Sequence, residues 1–138
     1  MGWFSLANVD WVGVAVATLA AFTISYLWYH PRALGWAWAR LADVEGRGLV
    51  GVTAQRVAVA VITFALTAVV FMVVQAELLI VSMGGGLAFG AFLGVVLRLT
   101  WEVLHRSQEG RPIGVGVIDG AHDVLALAVI GAVAGAFL

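Results

Sequence analysis

Four long apolar stretches constrain the fold of this chain more than any other feature of its sequence. They cover approximately residues 11–29, 57–80, 83–104 and 113–138. A helix needs about 20 mostly apolar residues to cross a bilayer, and each stretch has about that length. Of all residues, 63% are hydrophobic and 11% are charged, whereas about a quarter are charged in soluble domains. The sequence therefore predicts an all-α, integral membrane four-helix bundle that forms one transmembrane domain over residues 1–138.

The charged residues and the lack of cysteine exclude several classes of protein. All seven basic residues are Arg, and the formal net charge is −1. Nucleic-acid-binding surfaces need a dense basic stripe, so we expect no nucleic-acid partner. Without Cys the chain has neither thiol catalysis nor thiolate metal ligands. No Lys or Arg precedes the first stretch, which is longer than the ~7–15 apolar residues of a signal peptide, so it is predicted to remain as a span.

The arginines predict how the spans are oriented. The first and third connections carry six of them, which are Arg32, Arg40, Arg47, Arg56, Arg106 and Arg111. The seventh, Arg98, lies just inside the third stretch, while the N-terminal tail, the second connection and the C-terminus carry none. Loops that are rich in Lys and Arg stay in the cytoplasm. Both termini are therefore predicted to lie on the non-cytoplasmic side.

The first cytoplasmic connection is predicted to contain a short helix in the membrane interface, over residues 33–42. Its tryptophans Trp36 and Trp38, together with Trp28 before it, suit the headgroup region, where indole rings act as anchors. This helix could simply anchor the bundle, or it could bind a lipid headgroup or a partner. Residues 43–48 are then predicted to form a flexible turn.

Glycines four residues apart predict close helix packing. They form one stripe in the third stretch and one in the fourth, and they are Gly86, Gly90, Gly94, Gly131 and Gly135. Small residues at this spacing let a second helix approach closely. Such contacts occur inside a bundle and between subunits, and the pattern does not choose between them. Two stripes on one small bundle favour a homo-oligomer.

Charged groups inside the last two stretches form a predicted polar cluster, which consists of Arg98, Glu102, Asp119, His122 and Asp123. Arg98 lies seven residues inside His105, and Asp119 lies seven residues inside Pro112. Both side chains are then roughly 10 Å from the same end of the bundle at the helical rise per residue. We therefore predict an Arg98–Asp119 ion pair.

If Arg98 pairs with Asp119, the second carboxylate of the fourth stretch, Asp123, has no cationic partner. Asp123 is then expected to be the protonated member of the pair and to share its proton with His122, because two close carboxylates do not both ionise cheaply. Three threonines at a similar depth are expected to complete a polar layer, and these are Thr23, Thr63 and Thr67.

Three functions suit such a cluster. It could be a structural network that fixes the register of the helices, a proton- or ion-conducting path, or a catalytic or metal site. No nucleophile paired with a base is evident from the sequence, and no motif indicates a metal. We therefore expect a non-enzymatic scaffold or accessory subunit without cofactor or metal, which associates with itself or with another membrane protein. The alternative is a proton- or ion-coupled transporter or channel.

Short motifs across the chain resemble a known family. They lie at residues 10–11 (DW), 27–31 (LWYHP), 35–38 (GWAW), 110–112 (GRP) and 118–122 (IDGAH). Together they resemble a group of short bacterial membrane proteins catalogued as domain of unknown function 1761. The family pattern favours Asn in place of Asp10 and Tyr in place of His122. The resemblance implies a four-span protein of the bacterial cytoplasmic membrane and brings no activity with it.

Overall fold

The computed structural model describes residues 5–42 and 53–138, and within these ranges the chain is helical. A 3-10 turn over Leu6–Asn8 is followed by α1 (Trp11–Trp28), α2 (Gly35–Leu41), α3 (Ala54–Glu77), α4 (Met83–Gln108) and α5 (Ile113–Ala136). Four of these helices, α1, α3, α4 and α5, are long and apolar enough to cross a membrane. The predicted all-α fold with four candidate spans is thus confirmed. The predicted turn over residues 43–48, with Arg47, lies outside the described residues.

Local side-chain caps and turns set the bounds of the helices. The carboxylate of Asp10 accepts a hydrogen bond from the Gly13 N–H at 2.8 Å and begins α1. Thr53 caps α3 in the same way, so this helix begins at Ala54, three residues before the predicted stretch. It ends at Glu77, and Leu79 then turns the chain with a φ of 57°. Helix α4 continues to Gln108, past the predicted end at residue 104.

Helix α5 is the centre of the bundle. It packs against α1 and α3, along the whole length of α4, and against the short helix α2. Helix α3 also contacts α4, since the ring of Phe71 on α3 lies 5.8 Å from that of Phe89 on α4. Helix α5, which carries Asp119, His122 and Asp123, therefore contacts every other helix of the bundle.

Glycines line the contact between α4 and α5. A Cβ added at Gly86 would meet the backbone carbonyl of Gly131, and one added at Gly90 would meet that of Leu127. At Gly94 it would lie 2.6 Å from the Cα of Val124. Both predicted stripes therefore serve packing inside the chain, since each faces the other helix of the same molecule.

A π-helical stretch interrupts α4 over Gly94–Leu99. Such a turn holds one residue more than an α-helical turn and often occurs at functional sites. Just after it, the Thr100 hydroxyl donates to the Val96 carbonyl at 2.6 Å. The stretch contains Arg98, the only basic residue inside the predicted third stretch.

The apolar core fills the end of the bundle that is remote from Arg98. It is formed by α1, α3 and α5, with Met72 and Ile130 fully buried. Gln75 of α3 is a polar side chain that is fully buried in this end. Its amide donates to the Gly131 carbonyl at 3.2 Å and so joins α3 to α5.

Candidate functional site

Eight side chains from α1, α4 and α5 meet at one end of the bundle, which we call the arginine end. They form the polar network, which consists of Ser25, Tyr29, Arg98, Glu102, Arg106, Asp119, His122 and Asp123. All five residues of the predicted cluster are members. Hydrogen bonds and ion pairs connect the eight side chains into one continuous series, which starts at Ser25 of α1 and ends at Tyr29, directly after α1.

Arg98 pairs with Asp123 and not with Asp119. Its Nη2 and Nε atoms lie 2.7 and 2.8 Å from Asp123 Oδ2, and Nη2 also lies 3.2 Å from Glu102 Oε1. The predicted Arg98–Asp119 pair is therefore wrong. The expectation that Asp123 lacks a cationic partner is wrong for the same reason.

The direction of helical side chains explains this shift of partner. Leu99 is level with Gly120, where an added Cβ would lie 2.7 Å from the Leu99 Cα. Arg98 is therefore level with the backbone between the two aspartates. Side chains lean toward the N-terminus of their own helix. In antiparallel helices, Arg98 leans away from the arginine end and Asp123 leans toward it, so these two side chains meet.

Asp119 finds its partners nearer the end of the bundle. Its Oδ2 lies 3.5 Å from Nη2 of Arg106, and its Oδ1 accepts a hydrogen bond of 2.7 Å from the Tyr29 hydroxyl. Arg106 also contacts Glu102 at 3.4 Å, which closes the chain of charges. Tyr29 directly follows α1, and burial, together with Asp119, raises the pKa of its hydroxyl. The Tyr29 hydroxyl therefore keeps its proton and acts as a donor.

The other branch of the polar network joins a hydroxyl, an imidazole and a carboxylate. Ser25 Oγ lies 2.7 Å from Nε2 of His122, and His122 Nδ1 lies 3.0 Å from Oδ1 of Asp123. Ser25 Oγ is also 3.0 Å from the Ala21 carbonyl of its own helix. The expectation of a chain without enzymatic activity stays a prediction, but its premise does not hold, because a nucleophile does lie beside a base.

Aromatic rings surround this branch. The His122 ring lies 5.1 Å from that of Tyr29 and 6.2 Å from that of Trp28. Trp38 of α2 packs edge-on against Tyr29 at 6.1 Å. The indole nitrogens of Trp28 and Trp38 are buried, and neither has a hydrogen-bond partner among the described residues. These two predicted anchors thus pack beside the site, whereas Trp36 is 57% exposed.

Three residues of the network, Ser25, Tyr29 and Arg106, were not predicted, because they are not charged groups inside the last two apolar stretches. Ser25 and Tyr29 are four residues apart at the C-terminal end of α1 and therefore point to the same side. This spacing is the pattern by which the sequence could have indicated them. Arg106 was predicted to lie in the third connection, whereas α4 extends past it to Gln108. The predicted threonine layer is wrong. Thr23 and Thr67 donate to carbonyls of their own helices at 2.8 Å, and Thr63 is exposed.

The polar network occupies only one half of the bundle. Toward the other end it gives way to the apolar core around Met72 and Ile130. Within residues 5–42 and 53–138, no group of three or more His, Asp or Glu side chains is arranged to hold a metal ion. The arrangement is therefore that of a one-sided site in which acid, base and hydroxyl groups face one another.

A family model covers almost the whole of this bundle. The model described as "Protein of unknown function (DUF1761)" matches residues 12–135. The chain belongs to this family. No curated protein and no solved structure matches it. DUF1761 carries no assigned activity, so the chemistry of the polar network has to be argued from this chain alone.

The match to DUF1761 includes every member of the polar network, from Ser25 to Asp123. It also includes α2 and the two glycine-lined helices. The resemblance that the short motifs indicated is thereby confirmed at the level of the family.

Proposed function

We propose that this DUF1761 protein is a multi-pass protein of the bacterial cytoplasmic membrane that serves as a scaffold or accessory subunit by associating with a second copy of itself. In this proposal the arginine end faces the cytoplasm, both termini lie outside, and α2 rests in the membrane interface. The arginine count of the connections supports this orientation.

The exposure of Arg98 is the observation that carries the proposal. Its side chain is 48% exposed although it lies well inside α4. A charged side chain that faces lipid is costly, by about 2.5–3.5 kcal/mol at the centre of a span. A second protein surface over this face of α4 would shield it. Because Arg98 already holds Asp123 and Glu102, two such faces would meet as ion pairs rather than as bare charges.

The exposure of the rest of α4 also favours association through the face that carries Arg98. This helix is the least buried of the four candidate spans and exposes Val95 and Trp101 on either side of Arg98. Both residues lie within one helical turn of Arg98 along α4, so an apolar exposed surface adjoins the exposed charge. The glycine stripes do not contribute to this contact, because they already pack α4 against α5.

Transport receives less support from the geometry. A path for protons or ions needs polar groups through the whole bundle, whereas the polar network stops at an apolar core in which Met72 and Ile130 are fully buried.

Single-cysteine crosslinking tests the association, since the chain has no cysteine of its own. Val95→Cys on α4 and Val61→Cys on α3 place a thiol at positions of similar exposure, 44% and 40%. In native membranes under oxidising conditions we expect disulfide-linked dimers for Val95→Cys and few for Val61→Cys. Equal crosslinking at both positions, or none at Val95→Cys, would contradict association through this face.

A further inference from the structure

Ser25, His122 and Asp123 have the arrangement of a serine-hydrolase centre. The Oγ–Nε2 distance of 2.7 Å and the Nδ1–Oδ1 distance of 3.0 Å are both hydrogen-bond distances. In such centres the hydroxyl faces one imidazole nitrogen, and the carboxylate faces the other. The arrangement is recognised by geometry and roles, not by order in the sequence.

We propose that these three residues form a site for acyl transfer that cleaves a carboxylic ester of a membrane lipid, with water as the acceptor. This activity goes beyond a scaffold and is independent of the association of two copies. It is proposed for this chain and not for the family as a whole.

The contacts of His122 select the tautomer that a general base needs. An ionised carboxylate only accepts hydrogen bonds, so the proton lies on Nδ1, which donates to Asp123. The Nε2 lone pair then faces the Ser25 hydroxyl, whose single proton can be donated either to Nε2 at 2.7 Å or to the Ala21 carbonyl at 3.0 Å. Arg98 holds the other oxygen of Asp123 at 2.7 Å. Asp123 and Arg98 are thus positioning residues, while Ser25 and His122 would touch the substrate.

The surroundings favour the charges that develop during acyl transfer. The network has three carboxylates, on Glu102, Asp119 and Asp123, but two guanidinium groups, so an imidazolium on His122 would balance the charge.

The oxyanion that develops during acyl transfer needs a hydrogen-bond donor. Trp28 lies three residues after Ser25 on the same face of α1. Its buried indole N–H has no partner among the described residues and could donate to that oxygen.

The depth of Ser25 indicates the substrate class. It lies three residues before Trp28, the last residue of α1, and therefore about 5 Å below the end of the helix. The ester carbonyls of glycerolipids lie between the headgroups and the acyl chains, and the proposal places the end of α1 at this boundary. Ser25 is only partly buried, whereas His122 is buried at 6% exposure. The nucleophile is therefore the more accessible of the two.

The reaction balances without a further cofactor. Ser25 Oγ attacks the ester carbon as its proton passes to His122 Nε2. The tetrahedral intermediate then expels the lipid alcohol, which takes that proton, and leaves an acyl ester on Ser25. Water gives a proton to His122 and attacks this ester, and the fatty acid leaves as Ser25 regains its proton.

Labelling of the purified protein with a fluorophosphonate probe tests the site. We expect the probe to phosphonylate Ser25, as located by mass spectrometry, and the protein to release fatty acid from phosphatidylglycerol in mixed micelles. Ser25→Ala should abolish both, and His122→Gln should slow both by about 100-fold or more. Ser107→Ala, on an exposed position of α4, is the matched control and should change neither.

Folded wild-type protein that is not labelled at Ser25 would overturn the proposal, as would labelling that persists in His122→Gln. If the alanine variant does not fold, the thiol of Ser25→Cys gives a second test. At pH 6 it should react with iodoacetamide at least about 10-fold faster than in Ser25→Cys/His122→Gln, because a paired imidazole favours the thiolate. Equal rates would contradict the pairing.

The role of Asp123 has a spectroscopic signature. Nitrogen-15 NMR should find the proton of His122 on Nδ1 in the wild type, and on Nε2 in a larger share of Asp123→Asn molecules, because an amide can donate to Nδ1. An unchanged tautomer in that variant would show that Asp123 does not position the imidazole.

Discussion

Arg98 binds two carboxylates, one on its own helix and one on α5. The pair with Asp123 connects the two central helices at a depth where an unpaired charge is expensive. If one partner of such a pair is removed, the other remains as a buried charge without an opposite charge beside it. The resulting loss of stability is larger than the net contribution of the intact pair. At the scale of single residues, stability at the arginine end therefore depends on which carboxylate each arginine reaches.

The first prediction concerns this choice of partner. Arg98→Ala and Asp123→Ala should couple by about 0.5–3 kcal/mol in a double-mutant cycle, as residues in direct contact do. The free energy of unfolding, measured in mixed micelles with increasing SDS, gives the four values. The matched cycle uses Arg98→Ala with Asp119→Ala, which belong to the same network but are not in direct contact, and it should show the weaker coupling. Stronger coupling to Asp119 than to Asp123 would contradict the observed pairing.

A second prediction concerns the Tyr29 hydroxyl, which donates to Asp119 at 2.7 Å. Tyr29→Phe should lower the free energy of unfolding by about 1.5–3 kcal/mol, the usual range for a hydrogen bond to a charged group. Tyr26→Phe is the control, since Tyr26 is 53% exposed, and should change stability by no more than about 0.5 kcal/mol. Equal effects of the two changes would show that the Asp119 contact does not stabilise the fold.

The sequence predicted five members of the polar network, but it missed Arg106 and did not predict how the charges pair. Counting residues inward from the helix ends placed Arg98 level with Asp119, and the backbones are indeed close to that register. The count left out the lean of the side chains toward the helix N-terminus. It also left out uncharged residues, so that Ser25, which faces His122, was missed.

At the scale of helices, the contact between α4 and α5 organises the bundle. Its glycines bring the two backbones together over about two turns, from Gly86 to Gly94 on one side and from Gly131 to Val124 on the other. The predicted spacing was sufficient to place these glycines in a helix contact, although not to say in which one. The π-helical turn over Gly94–Leu99 could not be predicted, because no residue pattern separates it from an α-helical turn.

A third prediction follows from this close contact. Gly90→Ala should destabilise the protein by about 1–3 kcal/mol, the usual cost of overpacking, because its Cβ would meet the Leu127 carbonyl. Gly84→Ala on the same helix is the matched control, since nothing lies within 4 Å of its added Cβ. That change should be neutral or stabilising by up to about 1 kcal/mol. Thermal unfolding in detergent compares the two, and similar losses would contradict the packing.

For the whole molecule, the polar network and the apolar core lie at opposite ends of the bundle. Composition and the lengths of the apolar stretches were sufficient to predict the four long helices, because the need to satisfy backbone groups in lipid leaves few alternatives. The proposed orientation rests on the arginines in the connections, and one of these, Arg47, lies outside the described residues. The central claim is that the end with Arg98 and Arg106 faces the cytoplasm.

Reporter fusions test this claim most directly. Alkaline phosphatase is active only outside the cytoplasmic membrane, whereas green fluorescent protein exported in unfolded form stays dark. After Leu138, the phosphatase fusion should be active and the fluorescent fusion dark. After Glu109, between α4 and α5, the two readouts should be reversed. A fluorescent, phosphatase-negative fusion after Leu138 would contradict the orientation, and with it the placement of the polar network at the cytoplasmic face.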